Sequence, residues 1–246
     1  MTMLSVESVS KRYGDVLAVD DVSLSFPQGG ITAVIGPSGC GKSTLLKLCN
    51  GLVKPDAGQV NVFGRPLDYG NLPPLRRRLG YAVQGTGLFP HLTAGENITL
   101  LASLERWPQA AIEQRLGELL KLTHLREEQL TRYPHQLSGG QQQRVGLCRT
   151  MMMRPEILLL DEPFAAIDSI TRMDIHQQLL KLHEAEPATV LLVTHDIREA
   201  LQLAEHIVIM TGGRVVRSDS KSTLLGDRAG SDPELLLQSL MAGAGE

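Results

Sequence analysis

The sequence has few aromatic residues and few cysteines. Aromatic side chains make up 4% of the 246 residues, so the core has to be built from aliphatic side chains. The three cysteines, Cys40, Cys49 and Cys148, are an odd number without a Cys-x-x-Cys spacing. This pattern argues against a disulfide framework and against a zinc site, and it is typical of a protein of the reducing cytosol.

Long basic and long apolar runs are missing as well. The formal net charge is −3 and the longest basic run is Arg76–Arg78, so the composition gives no sign of nucleic-acid binding. No window of about 18 apolar residues occurs, and no basic segment followed by an apolar one opens the chain. We therefore expect no membrane insertion by the chain itself. Arg76–Arg78 is expected to be a solvated helix face, with a partner or lipid surface as the alternative.

A phosphate-binding loop is the most specific feature of the sequence. The pattern G-x-x-x-x-G-K-[ST] falls on a stretch that consists of Gly36, Pro37, Ser38, Gly39, Cys40, Gly41, Lys42, Ser43 and Thr44. A β-branched apolar run precedes it and a helix-forming run follows it, which predicts a strand, a loop and a helix. Inward-facing N–H groups and the helix N-terminus suit polyphosphate. Lys42 is expected to reach the β- and γ-phosphates, and Ser43 to ligate Mg²⁺. A chance glycine-rich turn is the alternative.

Polar residues follow three apolar runs that are typical of buried strands. Gln84 follows the run at 79–83, Asp161 and Glu162 follow the run at 157–160, and His195 follows the run at 188–194. Ligands bind at the carboxyl ends of strands in open α/β sheets. We expect Asp161 and Gln84 to ligate Mg²⁺ or water, and Glu162 to polarise a water against the γ-phosphate. His195 is expected to contact the γ-phosphate, although a lone histidine is more often a packing or surface residue.

Other segments predict the domain organisation. Residues 4–9 and 22–26 alternate in polarity, which indicates antiparallel β structure. Between them, the Tyr13 ring either stacks on a nucleotide base or packs on a strand edge. The pattern is helical from about residue 92 to 154. We expect a nucleotide-binding core over 1–91 and 155–217, a helical subdomain over 92–154, and a tail over 218–246 with a short helix near 234–241.

A second helix start with bare glycine backbone lies inside the helical region. Leu137 is followed by Ser138, Gly139, Gly140 and Gln141. Ser138 can cap the helix, and the glycines leave its N-terminus open to an anion. Simple capping is the alternative for this segment taken alone.

Together and in this order, the motifs resemble the nucleotide-binding subunit of an ATP-binding-cassette transporter over residues 4 to about 216. The resemblance implies an α/β fold with a P-loop NTPase core, an N-terminal antiparallel β subdomain and an inserted α-helical subdomain. It implies that the Walker A loop is Gly36–Thr44, the Walker B aspartate Asp161, the general base Glu162, the signature Leu137–Gln141, the Q-loop Gln84, the switch histidine His195 and the adenine-stacking residue Tyr13.

The resemblance also implies partners and a location. In the family, ATP with Mg²⁺ is sandwiched between the Walker A loop of one copy and the signature of a second copy. Asp168 resembles the D-loop that crosses this interface, and Ile167 departs from the usual leucine. Integral-membrane permease subunits would hold the chain at the cytoplasmic, inner face of the cell membrane. A solute-binding protein would be an indirect partner, and nucleic acid would not be one.

Within the family, the segments after Gln84, before Leu137 and after His195 are similar to importer subunits. The nearest resemblance is to ATPases that serve uptake of osmoprotectants such as glycine betaine, choline and other quaternary amines. An exporter, a lipid-transport ATPase or an importer of another small solute, such as a sulfonate or an amino acid, remains an alternative. A cassette of DNA repair or translation would need a long coiled-coil insertion or two cassettes, and neither pattern occurs.

Overall fold

A computed structural model describes residues 2–165, 167–226, 234–235 and 238–239. The chain divides into two units by its internal packing. The first unit comprises Met1–Arg76 and Ala188–Glu246, and the second comprises Arg77–Pro187. Over the described ranges, every helix is too short or too polar to cross a membrane.

An antiparallel sheet forms one layer of the first unit. Its strands are β1 (Leu4–Tyr13), β2 (Val16–Phe26), β4 (Ala57–Val62) and β5 (Arg65–Pro66), in the order β2-β1-β4-β5. Alternating residues such as Leu4 and Val6 are buried while their neighbours are more exposed, as expected for a half-buried sheet. The antiparallel pairing predicted from residues 4–9 and 22–26 is confirmed, and both strands are longer than those segments.

The strand before the phosphate loop lies at the centre of a second sheet in this unit. The strands β3 (Ile31–Ile35), β8 (Thr189–Val193), β9 (His206–Thr211) and β10 (Arg214–Ser220) follow the order β10-β9-β3-β8. β3 pairs in parallel with β8 and β9, and β9 forms a hairpin with β10. β3 and β8 are buried throughout, which explains their continuous apolar sequences.

Several short helices belong to the described part of the first unit. They are α1 (Lys42–Cys49), α2 (Pro73–Arg76), α7 (Ile197–Leu203) and α8 (Lys221–Leu225). α1 packs on β8 and α7 packs on β3, so helices cover the central strands. β10 continues to Ser220, three residues past the predicted end of the core at 217, and α8 follows directly. Of the helix predicted near 234–241, residues 234–235 and 238–239 are described and are helical, and the other four lie outside the described residues.

The second unit is built from helices and a parallel strand pair. Strand β6 (Leu79–Ala82) pairs with β7 (Ile157–Asp161). The helices are α3 (Ala94–Leu104), α4 (Gln109–Thr123), α5 (Gly139–Met151) and α6 (Ser169–Ala185), with short 3-10 helices at Glu127–Gln129 and Pro134–Gln136. Three of the four helices fall within residues 92–154. The boundaries of the helical subdomain stay a prediction.

The basic run Arg76–Arg78 is exposed, as we expected from the sequence, but only Arg76 lies in a helix. Helix α2 ends at Arg76, whose guanidinium donates to the carbonyl oxygen of Gly51 at 3.1 Å. In the second unit, Arg77 pairs with Glu105 and Arg78 pairs with Glu156. The run cannot continue as a helix because β6 begins at residue 79. The expectation of a solvated run is therefore confirmed, whereas the expectation of a continuous helix face was wrong, and the exposed arginines also make local contacts.

The three cysteines are free and buried. Burial raises the pKa of the Cys49 and Cys148 thiols to about 12. These two side chains therefore behave as small apolar residues of the core at neutral pH.

A buried asparagine, which the sequence gave no reason to single out, anchors the loop before α3. Asn97 is fully buried, and its side-chain oxygen accepts from the backbone N–H of Phe89 at 2.8 Å. Its amide nitrogen donates to the carbonyl oxygens of Phe89, Leu92 and Thr93 at 2.9 to 3.1 Å. Thr93 also forms a capping box with Glu96. The loop at 89–93 is thus fixed by one side chain from α3.

We expect Asn97→Ala to lower the free energy of unfolding by about 2 kcal/mol, because it removes the partner of four backbone groups. Denaturant unfolding followed by circular dichroism measures the change. Gln109→Ala is the control, since it removes one exposed hydrogen bond within α4 and should shift stability by less than about 0.5 kcal/mol. Equal midpoints for the two variants would contradict the anchoring role of Asn97.

Candidate functional site

The loop at residues 36–44 joins β3 to α1, as the sequence predicts. A Cβ atom on Gly36 would lie 2.1 Å from the carbonyl oxygen of Met210, and one on Gly41 would lie 2.1 Å from that of Ala18. These carbonyls belong to β9 and β2, so the loop lies directly against both sheets of the first unit. Gly39 has free space around it and a φ of 79°. A side chain would have room at this position, so glycine is needed there because of its backbone conformation.

The N-terminus of α1 has no side-chain cap. Gly41 occupies the N-cap position with a φ of 104° and makes no side-chain hydrogen bond. The backbone N–H groups of a first helical turn have no partners within the helix, and they carry the positive end of the helix dipole. An uncapped start after a glycine-rich loop is therefore suited to a phosphate group.

Lys42 places a positive charge inside the loop. It is buried, and its ammonium donates to the carbonyl oxygens of Gly36 at 2.8 Å and Pro37 at 2.9 Å. The Cys40 sulfur lies 3.8 Å from the same nitrogen. The loop carbonyls thus hold a cation beside the open helix start, and this arrangement raises the positive potential where an anion would bind.

The second unit brings Gln84 and Glu162 together. β6 and β7 run in register, with Ala82 opposite Leu160, so both strands end at the same edge. There the Gln84 amide nitrogen lies 3.3 Å from a carboxylate oxygen of Glu162. Asp161, the last residue of β7, is buried. The strand register therefore places the Gln84 amide beside the Glu162 carboxylate, and Asp161 precedes Glu162 at the end of β7.

Glu162 has an unusual backbone conformation. Its φ is 45°, in the left-handed region that residues other than glycine seldom adopt. Its carbonyl oxygen accepts from the N–H of Ala165 at 3.2 Å, so the residue begins a tight turn after β7. Such conformations cost about 1–3 kcal/mol and are concentrated at functional sites.

The residues assigned to Mg²⁺ have suitable donor atoms. A serine hydroxyl, an amide oxygen and a carboxylate are hard oxygen ligands, which Mg²⁺ prefers, and Ser43, Gln84 and Asp161 supply one each. Within the part of the chain that the structure describes, no group of three or more His, Cys, Asp or Glu residues could hold a metal.

Ser138 caps helix α5. Its hydroxyl accepts from the N–H of Gln141 at 3.3 Å, and the Gln141 side chain accepts from the N–H of Ser138 at 3.0 Å. A Cβ on Gly140 would lie 2.3 Å from the Thr171 methyl group on α6, whereas a Cβ on Gly139 would meet nothing within 4 Å. Gly140 is thus required for helix packing, and Gly139 leaves the helix start open to a close approach.

The remaining predicted residues lie at the ends of elements. Asp168 caps α6, since its carboxylate accepts from the N–H of Thr171 at 3.0 Å, and hydrogen bonds from Thr171 hold the pKa of Asp168 below its usual range. In the first unit, Tyr13 ends β1 with 48% of its surface exposed. The Lys11 ammonium lies 5.6 Å from the centre of the Tyr13 ring. His195 follows β8 and is exposed.

Sequence reasoning missed Arg149, which connects α5 to the segment after Gln84. Its guanidinium donates to the carbonyl oxygens of Thr86 at 3.1 Å and Gly87 at 2.8 Å. It also lies 5.8 Å from the centre of the Phe89 ring. Desolvation by burial lowers the pKa of Arg149. No local pattern indicates this contact, because its partners are 62 and 63 positions away.

Comparisons with known proteins identify the family of this chain. The sequence pattern of the family described as ABC transporter matches residues 19–165. The chain is 45% identical over 223 residues to the glycine betaine uptake system ATP-binding protein YehX of Escherichia coli K12, covering 91% of this chain and 72% of that protein. It is 42% identical over 228 residues to the choline transport ATP-binding protein OpuBA of Bacillus subtilis 168, covering 92% of this chain but 60% of the length of OpuBA.

A solved structure shares the fold. The dimeric post-hydrolysis structure of the ATP-binding cassette MJ0796, bound to ADP and phosphate, superimposes with a TM-score of 0.80 at 36% identity. The match covers 89% of this chain and 98% of that cassette. The α/β fold class that the sequence predicts is thereby confirmed.

We expect Lys42→Ala to weaken the binding of ATP by about tenfold or more, because it removes the cation that would compensate phosphate charge. Isothermal titration calorimetry with ATP and Mg²⁺ measures the affinity. Lys47→Ala is the matched control, since Lys47 lies on the same helix and is exposed. An unchanged affinity in the folded Lys42→Ala variant would contradict the role of Lys42.

Proposed function

Because this chain belongs to the ABC transporter family, we propose that it binds and hydrolyses ATP to power an importer of quaternary amines. The observation that carries the proposal is the presence of two separate helix starts suited to phosphate. One is the start of α1 with Lys42, and the other is the start of α5 at Ser138. The relatives named for glycine betaine uptake and choline transport support the solute class and favour import over export.

A second copy of the chain completes the ATP site in this proposal. The Walker A loop belongs to the first unit and the signature to the second. The related cassette bound to ADP and phosphate is dimeric. We infer that the Walker A loop of one copy and Leu137–Gln141 of the other hold one ATP between them. The open space at Gly139 would let the backbone of the signature approach the phosphate closely.

Glu162 is the general base in the proposed reaction. Its carboxylate would orient a water and accept a proton as the water oxygen attacks the γ-phosphorus and the bond to ADP breaks. The amide of Gln84, 3.3 Å away, would hold this carboxylate in place. Bound Mg²⁺, which we assign to Ser43, Gln84 and Asp161, would neutralise charge on the phosphates.

Three further residues complete the assignment. We assign the switch contact to the γ-phosphate to His195 and the stacking on adenine to Tyr13. The half-exposed ring of Tyr13 supports stacking over burial at a strand edge. Asp168 is assigned to the dimer interface, where its capping bond to Thr171 would fix its orientation.

The solute itself would be carried by other subunits. In this proposal, integral-membrane permease subunits hold the chain at the inner face of the cell membrane, and a solute-binding protein delivers the quaternary amine to them. Closing and opening of the ATP-bound dimer would then drive the permease. Nucleic acid has no part in this cycle.

We expect Glu162→Gln to slow ATP hydrolysis by about a hundredfold or more, because the amide cannot accept the proton. ATP binding should persist, and dimers should accumulate in ATP during gel filtration. Glu127→Gln, at an exposed position in a short 3-10 helix, is the control and should hydrolyse ATP at the normal rate. Normal hydrolysis by Glu162→Gln would show that Glu162 is not the base.

Mixed dimers test whether the signature acts on the partner copy. We expect Ser138→Arg to bind ATP as a monomer but not to dimerise, because the arginine would fill the open helix start. In a mixed dimer of Ser138→Arg and Lys42→Ala, one composite site carries both defects and the other site is intact. ATP-dependent association that occurs only in this mixture is the expected result, measured by analytical ultracentrifugation.

A mixture that stays monomeric while the wild type dimerises would have two explanations. Either both sites must be intact, or the signature does not act across the interface. A mixture of wild type and Ser138→Arg also retains one intact site and separates these explanations. Its failure to associate would show that two intact sites are required, whereas its association would contradict action across the interface.

A further inference from the structure

Helices α5 and α6 of the second unit lie side by side and run in the same direction. Near their starts, Gly140 and Thr171 approach so closely that a Cβ on Gly140 would lie 2.3 Å from the Thr171 methyl group. Farther along, Arg144 of α5 forms an ion pair with Asp174 of α6. The contacts therefore advance along both helices together, which places the two N-termini at one end of the pair.

Arg115 of α4 joins the other ends of the two helices. Its guanidinium donates to the carbonyl oxygens of Met151 at 2.6 Å and Met152 at 3.3 Å, the last residue and the C-cap of α5. It also makes two hydrogen bonds to the carboxylate of Glu186, the C-cap of α6, one of them 2.7 Å long. Arg115 is 2% exposed, so these bonds are shielded from water.

The direction of the helices explains the need for a cation at this position. Two parallel helices place their negative dipole ends together, each equivalent to about half an elementary charge. The Arg115 guanidinium offsets that charge and satisfies carbonyl groups that have no partner within α5.

A second arginine keeps the surrounding network neutral. Arg154 pairs with Glu118 and with Glu186, at 2.6 Å each. Arg115 also pairs with Glu118 at 3.2 Å, and its hydrogen bond holds the pKa of Glu118 below the usual range. Two arginines and two glutamates therefore balance in charge. Arg154 reaches the carbonyl oxygen of Met151 through its backbone N–H at 3.1 Å. Among the four side chains, only that of Arg115 is shown donating to the carbonyls of Met151 and Met152 within the described residues.

We propose that Arg115 is a positioning residue for the signature: it fixes α5 along its axis against α6, so that Ser138 and Asp168 are presented together. A helix of 13 residues is about 20 Å long and moves as a rigid rod, so a shift at its C-terminal end moves its N-terminal end as well. The tight fit of Gly140 on Thr171 leaves no room for a shifted position. The inference rests on the proposed function, because the signature matters only if it contacts ATP.

The test compares Arg115→Met with Arg154→Met, each in the Glu162→Gln background. Methionine keeps the apolar stem of arginine and removes its donors. Analytical ultracentrifugation in ATP measures the dimer dissociation constant. We expect Arg115→Met to raise it by about tenfold, since bonds to a charged donor are lost. Arg154→Met removes two ion pairs but no bond to α5, and it should change the constant by less than about twofold.

A second measurement separates positioning from loss of fold. In the Ser138→Arg background, which should block dimerisation, calorimetry reports ATP binding by the Walker A loop alone. Arg115→Met should leave this affinity within about twofold. Arg115→Lys keeps the charge and is expected to recover part of the dimerisation. If Arg115→Met fails to fold in a thermal melt, Arg115→Lys is measured in its place. Arg115→Lys should then show weaker dimerisation, while its monomer should bind ATP with normal affinity.

Several outcomes would overturn the assignment. These are an unchanged dimer constant, an equal loss in Arg115→Met and Arg154→Met, and a parallel loss of monomer ATP binding. Failure of Glu162→Gln itself to dimerise in ATP would overturn the proposed function and this assignment with it. If Glu162→Gln dimerises in ATP and the double variant Glu162→Gln/Arg115→Met dimerises equally well, the assignment of Arg115 is overturned while the proposed function stands.

Discussion

The Lys42 ammonium, held by the carbonyl oxygens of Gly36 and Pro37, is the interaction on which the first unit depends for its chemistry. It keeps a positive charge inside a loop whose backbone packs directly on two sheets. A burial of this kind is costly unless the charge has hydrogen-bond partners. The loop carbonyls provide them, so the lysine can be buried and still lie beside the uncapped start of α1.

In the second unit, the charges that need partners come from the dipoles of helices α5 and α6. α5 and α6 run in parallel, so positive dipole ends gather at Ser138 and Asp168 and negative ends gather at Arg115. The positive end offers donors to an anion, and the negative end is neutralised by a buried guanidinium. In the proposed function, the same arrangement that presents one end to phosphate therefore calls for a structural cation at the other.

The local interactions of the site follow from short segments and could be predicted from them. The loop at 36–44, the capping at Thr93 and Ser138, and the strand before Asp161 each depend on residues within a few positions of one another. The basic run at 76–78 is exposed, as its charge indicates, but its helix ends at Arg76. Its ion-pair partners Glu105 and Glu156 are distant in sequence, so local charge could not identify them.

The sequence by itself determined the phosphate loop, the acids after β7, the helix caps and the family resemblance, because those signals are short and their chemistry is specific. The tertiary structure decided which residues support them. Asn97, Arg115 and Arg149 look like ordinary helix residues in the sequence. The partners of Arg115 and Arg149 become known only when distant segments pack together, and those of Asn97, 4 to 8 positions away, only when the preceding loop folds back on its helix. Side chains that donate to backbone carbonyls leave no sequence signature at the acceptor, since every residue carries the same carbonyl group.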